Sequence, residues 1–276
     1  MHTSLSYLSD TPDTPRPWDI VADGYATGAM DFFRSYSEAA LDFVPVEPGH
    51  HIADIACGPG TLSLIAAGKG ASVSALDFST NMLGHLKRRI TADGLDTISA
   101  YKGDGQDLPF DDATFDAAFS MFGLMFFPDR ETGYKEMRRT LKPGGYACVS
   151  SWAPMAQSSL IFSMWQALLE IAPDLPDSMG SIPSLSNPEI LEAEMVEAGF
   201  NEVEIRAVEH GATFPTAREF WAAMERGSEP IAVLKSKTTA EDWQEKSRRA
   251  VRHLEENAGP FPRHLSAKAW IGIGRK

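Results

Sequence analysis

Cysteine is almost missing from this chain. Cys57 and Cys148 are the only two in 276 residues. Two such residues among apolar neighbours build neither a disulfide framework nor a thiolate zinc site, and both read as buried, reduced thiols. No metal site is expected. Long apolar runs are missing too. None approaches the ~18 residues of a membrane span, and the polar, Pro-rich N-terminus has no signal-peptide core. The expectation is a cytoplasmic, soluble protein without a membrane span. Positive charge is scarce: 25 Lys and Arg stand against 38 Asp and Glu, a formal charge of −13. The longest basic cluster is Lys87-Arg88-Arg89. This argues against nucleic acid and other large polyanions as main partners, because phosphate binding needs a basic stripe. There is no internal repeat and no low-complexity tract.

What is present is a strand, a glycine turn and two acids. Residues 52–61 read Ile-Ala-Asp-Ile-Ala-Cys-Gly-Pro-Gly-Thr, and residues 75–77 read Ala-Leu-Asp. A short apolar strand carrying Asp54 runs into a turn at Gly58 and Gly60, and a helical stretch follows. A second apolar strand ends on Asp77. Glycines let a backbone approach a ligand closely, and an acid after the second strand can accept both hydroxyls of a ribose. The pattern implies a nucleoside site. It is not the dinucleotide fingerprint G-x-G-x-x-G, because Ser63 stands at the third glycine position. That substitution counts against a nicotinamide-dependent oxidoreductase, the first rival reading.

The rest of the chain alternates apolar strands with helical stretches. Strands are expected near 51–56, 72–77, 97–101, 115–120 and 145–151, then at 202–208 and 268–274. Alternating β and α elements imply an α/β fold, a Rossmann-like parallel sheet covered by helices on both faces. Residues 1–17 read as a flexible N-terminus, and 18–276 as one domain. Three segments lack strand character and are long enough to cover the sheet: 18–44, 153–187 and 211–266.

Ligands of open α/β sheets bind outside the carboxyl ends of the strands. The stretches there are Ala56-Cys57-Gly58-Pro59-Gly60, Asp77-Phe78-Ser79, Gly103-Asp104-Gly105-Gln106-Asp107-Leu108-Pro109-Phe110, Ser120-Met121-Phe122-Gly123 and Leu141-Lys142-Pro143-Gly144-Gly145. In order and spacing these five stretches resemble the motifs of the class I S-adenosylmethionine-dependent methyltransferases. Gly-Asp-x-x-Asp-Leu-Pro-Phe followed by Phe115-Asp116 resembles the subgroup that includes the ubiquinone/menaquinone-type C-methyltransferases. The resemblance departs from the family pattern at Ala56, where the family has glycine; alanine fits there if its φ is negative.

The resemblance implies a seven-stranded sheet of order 3-2-1-4-5-7-6, with an antiparallel last strand. It implies S-adenosyl-L-methionine as cofactor and S-adenosyl-L-homocysteine as product. Carried over position by position, Asp54 orients the methionyl amine, while Ala56, Cys57, Gly58 and Gly60 lie against the methionine part. Asp77 takes the ribose. Asp104 accepts from the adenine amino group, Gly105 offers a backbone donor, and Phe78, Met82 and Gln106 flank the ring. Ser120 and Met121 lie beside the methionine moiety, and Leu141 to Gly145 form a structural turn.

The acceptor is expected above the strand ends, under the three covering segments. These segments and the strand ends are rich in aromatic residues and methionine. Trp18, Tyr25, Met121, Phe122, Met125, Trp152 and Trp221 are the candidate acceptor contacts, which favours an apolar or planar small molecule. Methyl transfer from a sulfonium needs alignment more than acid–base groups, so no catalytic residue stands out; Tyr25 and His210 are the candidates for a base. Arsenite methylation would need more thiolates. Amino-adenine methylation would need an Asp/Asn-Pro-Pro-Tyr/Phe motif where Ser120-Met121-Phe122-Gly123 stands. The second rival is a cofactor-binding but catalytically silent partner protein. The chain is expected to act as a monomer or homodimer.

Overall fold

The structure is a computed structural model that describes residues 13–175 and 185–276. Seven strands form one sheet: β1 (His51–Ile55), β2 (Ser72–Asp77), β3 (Ile98–Lys102), β4 (Phe115–Met121), β5 (Leu141–Trp152), β6 (Asn201–Phe214) and β7 (Arg263–Arg275). Their order is β3-β2-β1-β4-β5-β7-β6. The first five run parallel, and β7 is antiparallel to both neighbours, with Ser150 opposite Ile271 and His210 opposite Ala267. Central strands covered on both faces read as nearly continuous apolar runs. Ile52, Ala53 and Ile55 in β1 and Ala117, Ala118 and Phe119 in β4 are accordingly buried.

Helices α3 (Thr61–Gly68), α4 (Thr80–Asp93) and α5 (Arg130–Thr140) connect the parallel strands. A right-handed crossover puts such helices on the faces of the sheet. The core is therefore split into one cluster around Phe115, Tyr134 and Met137 and another around Ile52, Leu62 and Phe119. Ahead of the sheet come α1 (Pro15–Gly24), a π-helical turn (Tyr25–Ala29) and α2 (Met30–Phe43). Of the expected flexible segment 1–17, residues 1–12 lie outside the described residues. Its last residues open α1 instead, since proline fits the first helical turn and Pro17 is buried.

The later helices are α6 (Ser159–Ile171), α7 (Pro188–Glu197), which packs on the sheet through Leu191 and Met195, α8 (Ala217–Gly227), α9 (Glu229–Ser236) and α10 (Ala240–Asn257). Four of them, α6, α8, α9 and α10, share a core of their own around Trp165, Leu168, Phe220, Trp221, Ile231 and Leu254. The segment expected at 211–266 is shorter than its sequence reading, because β6 runs on to Phe214 and β7 begins at Arg263. In the other segment, 153–187, residues 176–184 lie outside the described residues. The stretch Leu141 to Gly145 is not a free turn but the start of β5, with Gly144 at φ +79°. Tyr36 on α2, fully buried, ties the covering layer down by donating its hydroxyl to the Ala267 carbonyl at 2.7 Å.

The turn between β1 and α3 holds left-handed backbone at three positions. Gly58 and Gly60 have φ of +55° and +87°, and Ala56 has φ of +56°. The expected negative φ at Ala56 is not met, so an L-residue holds a left-handed conformation there. That conformation costs about 1–2 kcal/mol, while the extra unfolded-state freedom of glycine costs about 0.4–1 kcal/mol. Ala56→Gly should therefore raise the midpoint of denaturant unfolding. A midpoint that falls would show that the methyl group's packing outweighs its backbone strain.

Candidate functional site

The two acids are fixed by backbone donors. Asp77, at the end of β2, is 5% exposed; its Oδ2 accepts from Gly58 N at 2.7 Å and its Oδ1 from Ser79 N at 2.8 Å. One carboxylate thus joins the glycine turn to the N-terminus of α4. Asp54, 2% exposed, uses a single oxygen to accept from both Ser63 N (3.1 Å) and Ser63 Oγ (2.5 Å). The serine that breaks the dinucleotide fingerprint is the partner of the motif's first acid. Burial pushes the carboxyl of Asp54 up to about 6, more than its two bonds from Ser63 pull it down, and nearby Asp77 adds to the rise. Burial likewise lifts Asp77 to about 6, against the bonds from Ser79 and Gly58, with Asp19 adding repulsion. Each acid is short of the donors or positive charge that would fully offset its burial.

These groups border two adjoining lobes of one depression at the strand ends. The larger, about 750 Å³ including its open mouth, is lined by Asp77, Phe78, Met82, Asp104, Gly105 and Gln106 from the ends of β2 and β3. Trp18 and Tyr25 from the N-terminal helices and Phe126, Phe127 and Pro128 after β4 close it. The smaller, about 380 Å³, is lined by Asp54, Cys57, Pro59, Thr61 and Leu62 from the glycine turn and α3, with Phe33 and Ser37 from α2. Tyr25, Ala56, Gly58, Met121 and Phe122 border both. A Cβ built on Gly58 meets nothing within 4 Å, so this backbone faces open space.

Asp104 sits at the rim. Its Oδ1 accepts from Gln106 N (2.9 Å) and Gln106 Nε2 (3.1 Å), and the side-chain Oε1 of Gln106 accepts from Asp129 N at 2.9 Å. Gln106 therefore fixes the acid in place and ties its loop to the start of α5. Trp18 meets Phe126 edge-on at 5.0 Å, and Tyr25 stacks on Phe33 at 5.1 Å. The Tyr25 phenol is pushed well above its ordinary range by burial and by the charge of Asp77, so it stays protonated. Burial does the same to the thiol of Cys57, with Asp54 and Asp77 adding to it. Both groups therefore keep their protons near neutral pH.

Several expected site residues lie elsewhere. Ser120 is fully buried and its hydroxyl accepts from Leu124 N at 3.1 Å, which caps the turn after β4. Gly60 has its own place against Leu86 rather than on the cavity wall. Met125 is in the core, 1% exposed. Trp152 lies behind the wall, stacked on Phe122 with ring centres 4.2 Å apart. Trp221 is buried among the covering helices and donates to Ser247 Oγ at 2.9 Å. His210 packs on Phe32 and Tyr36 and pairs with Ser35 Oγ at 3.3 Å, away from both lobes, so it is no base for chemistry there. Phe33 and Ser37 were not foreseen, although their i, i+4 spacing places both on one face of α2. Among the described residues, no group of three or more His, Cys, Asp and Glu could hold a metal ion, and no helix is long and apolar enough to cross a membrane.

The buried acids short of donors, the open backbone at Gly58 and the rim acid Asp104 fit a nucleoside that carries positive charge. Comparison with known proteins points the same way. A family model described as a methyltransferase domain matches residues 52–145. The demethylmenaquinone methyltransferase of Bacillus subtilis is 37% identical over 125 residues, 44% of this chain and 54% of that protein. That of Clavibacter sepedonicus is 34% identical over 176 residues, 59% of this chain and 70% of that protein. The match spans about half the length of the first of these curated relatives. Among solved structures, phosphoethanolamine N-methyltransferase 2 of Haemonchus contortus, in complex with S-adenosyl-L-methionine, superposes with a TM-score of 0.56. It is 19% identical, over 88% of this chain and 53% of that one, and so shares the fold. By the extent of its match to these relatives, the chain belongs to the class I S-adenosylmethionine-dependent methyltransferases and resembles their menaquinone-type C-methyltransferases.

Proposed function

We propose that this chain transfers a methyl group from S-adenosylmethionine to a small, apolar or planar acceptor, in the cytoplasm. The observation that carries the reading is the placement of Asp77, Asp104 and the open backbone of Gly58 on one cavity wall. In this reading Asp77 holds the ribose, Asp104 the adenine amino group, and Asp54 the amino end of the methionine part. Gly105, Phe78, Met82 and Gln106 surround the ring.

When bound, the cofactor supplies a methyl group on a sulfonium, a leaving group that needs no proton. The work left to the protein is alignment and exclusion of water. Met121 and Phe122, shared by the two lobes, form the apolar wall beside the transfer path. Phe33 and Tyr25 close it from the N-terminal side. This lining suits an acceptor with an aromatic face, and the names of the curated relatives support a quinone-like ring. The Tyr25 hydroxyl, held protonated, can donate to an acceptor oxygen.

The acids make binding pH-dependent. Asp54 and Asp77 hold protons up to about 6 in the folded protein, against an ordinary 3.8. The folded state thus binds more protons than the unfolded chain between these values, and stability falls as pH rises through that window. Bound ribose hydroxyls and positive charge reverse the preference, because they favour the ionised acids. S-adenosylmethionine should therefore bind more tightly as pH rises from 5 to 7 and level off above 7. Titration calorimetry across that range checks it, and affinity independent of pH would remove both acids from the binding site. Asp77→Ala should weaken S-adenosylhomocysteine at least tenfold, since each charge-assisted bond is worth roughly 1.5–3 kcal/mol.

Asp104, an acceptor, should distinguish an amino group from a carbonyl on the purine. S-inosylhomocysteine is expected to bind at least tenfold more weakly than S-adenosylhomocysteine to the wild type, and with no such gap to Asp104→Ala. Methyl transfer itself is tested by incubating the protein with labelled cofactor and a panel of hydroquinones and phenols. Tight cofactor binding without transfer to any of them would favour a silent, partner-type protein.

A further inference from the structure

The first turn of α4 is shared between the nucleoside site and the N-terminal helix. A helix start leaves four backbone N–H groups without partners inside the helix. Here three of the N–H groups at the start of the helix go to three side chains. Ser79 N donates to Asp77 Oδ1 (2.8 Å), Asn81 N donates to Asp19 Oδ1 (3.0 Å), and Met82 N donates to Ser79 Oγ (3.1 Å). The Ser79 hydroxyl then donates its own proton to Asp19 Oδ1 at 2.6 Å, and the Asn81 amide donates to the Asp19 carbonyl at 3.0 Å. Asp19 belongs to α1 and follows Trp18, which lines the larger lobe; Tyr25, at the end of the same helix, borders both.

We propose that Asp19 is a positioning residue that couples the seating of α1 over the cavity to the grip of Asp77 on the nucleoside. The inference rests on the reading of Asp77 as the ribose acid. One serine stands between the two carboxylates, its N–H on Asp77 and its O–H on Asp19. Seating α1 therefore fixes the serine that orients Asp77, and the helix brings Trp18 and Tyr25 onto the cavity at the same time. Ribose hydroxyls on Asp77 relieve the repulsion between two acids that share one small residue, so a bound nucleoside holds α1 down. Coupling of this kind is reciprocal. Two further hydrogen bonds of α1 and the following turn to α4, Asp23 with His85 and the Ala26 carbonyl with Arg89, lie farther along α4, while Val21 and Ala22 share an apolar cluster with Met82 at the cavity.

The test is a double-mutant cycle on S-adenosylhomocysteine binding, measured by calorimetry at pH 7.5. Asp19→Ala should lower affinity about tenfold in the wild-type background and less than twofold in the Asp77→Ala background. Asp19→Asn keeps an acceptor oxygen and should lose less than threefold. Ser79→Ala, which removes the bridge without touching α1, should reproduce the loss and the non-additivity, and it serves if Asp19→Ala does not fold. Hydrogen exchange gives a second readout: the ligand should slow exchange in residues 15–29 of the wild type but not of Asp19→Ala. Equal losses in both backgrounds, or unchanged affinity on replacing Asp19, would overturn the coupling. Failure of the wild type to bind S-adenosylhomocysteine would instead overturn the proposed function.

Discussion

The carboxylate of Asp77 is the point on which the site depends. It is an anion buried at the end of a strand, which is unfavourable unless donors surround it. Two backbone N–H groups do so, from the glycine turn after β1 and from the first turn of α4. The left-handed conformation of Gly58 aims its N–H at the acid, and the end of β2 places the acid within reach of it. The order β3-β2-β1-β4 therefore does more than build a core. It brings the ends of neighbouring strands together so that one side chain joins two connections and still leaves lone pairs toward the cavity.

Much of the fold was legible because its signals are local. Short apolar runs ending on Asp or Ser, followed by helical stretches, dictate a parallel sheet, and strands β1 to β4 lie within a residue or so of their expected bounds. The C-terminal strand pair was less legible. β6 spans Asn201–Phe214 at the edge of the sheet, and its alternation is filled with Glu202, Glu204, Arg206 and Glu209. An edge strand that keeps charge on its solvent side does not announce its length by hydrophobicity. The covering segment therefore looked longer than it is, and Phe214 and Arg263 looked like parts of it.

The site shows the same division. The wall of the larger lobe could be placed from the sequence because it makes demands that few residues meet: a left-handed turn, an acid after β2, a polar loop after β3. Ala56 shows the limit of that reading, since its positive φ could not be inferred from its identity. The apolar lining was harder to place, because Phe, Trp and Met serve a core and a pocket equally well. Phe122 borders the cavity, whereas Trp152, stacked on it, only supports it. Met121 lines both lobes, whereas Met125, four residues on, is core. Which aromatic faces the cavity is decided by the turn after β4, where the Ser120 hydroxyl caps Leu124 N and Phe122 adopts φ of +58°.

The lining also explains why the N-terminal helices bind where they do. Buried acids strengthen their hold on a positively charged ligand only if water is kept away, because the same charges in water interact far more weakly. Trp18, Tyr25 and Phe33 supply apolar cover, but apolar cover alone has no preferred position. Polar bonds give it one: Asp19 on the first turn of α4, Asp23 on His85, and the Ala26 carbonyl on Arg89. The π-helical turn at Tyr25–Ala29, itself tied at Ala26, joins α1 to α2, which is held by Tyr36 on the Ala267 carbonyl. A wide turn between two anchored helices lets Tyr25 face the cavity while both neighbours keep their own packing. The cover is thus placed by hydrogen bonds at its edges and made apolar by the aromatic rings between them.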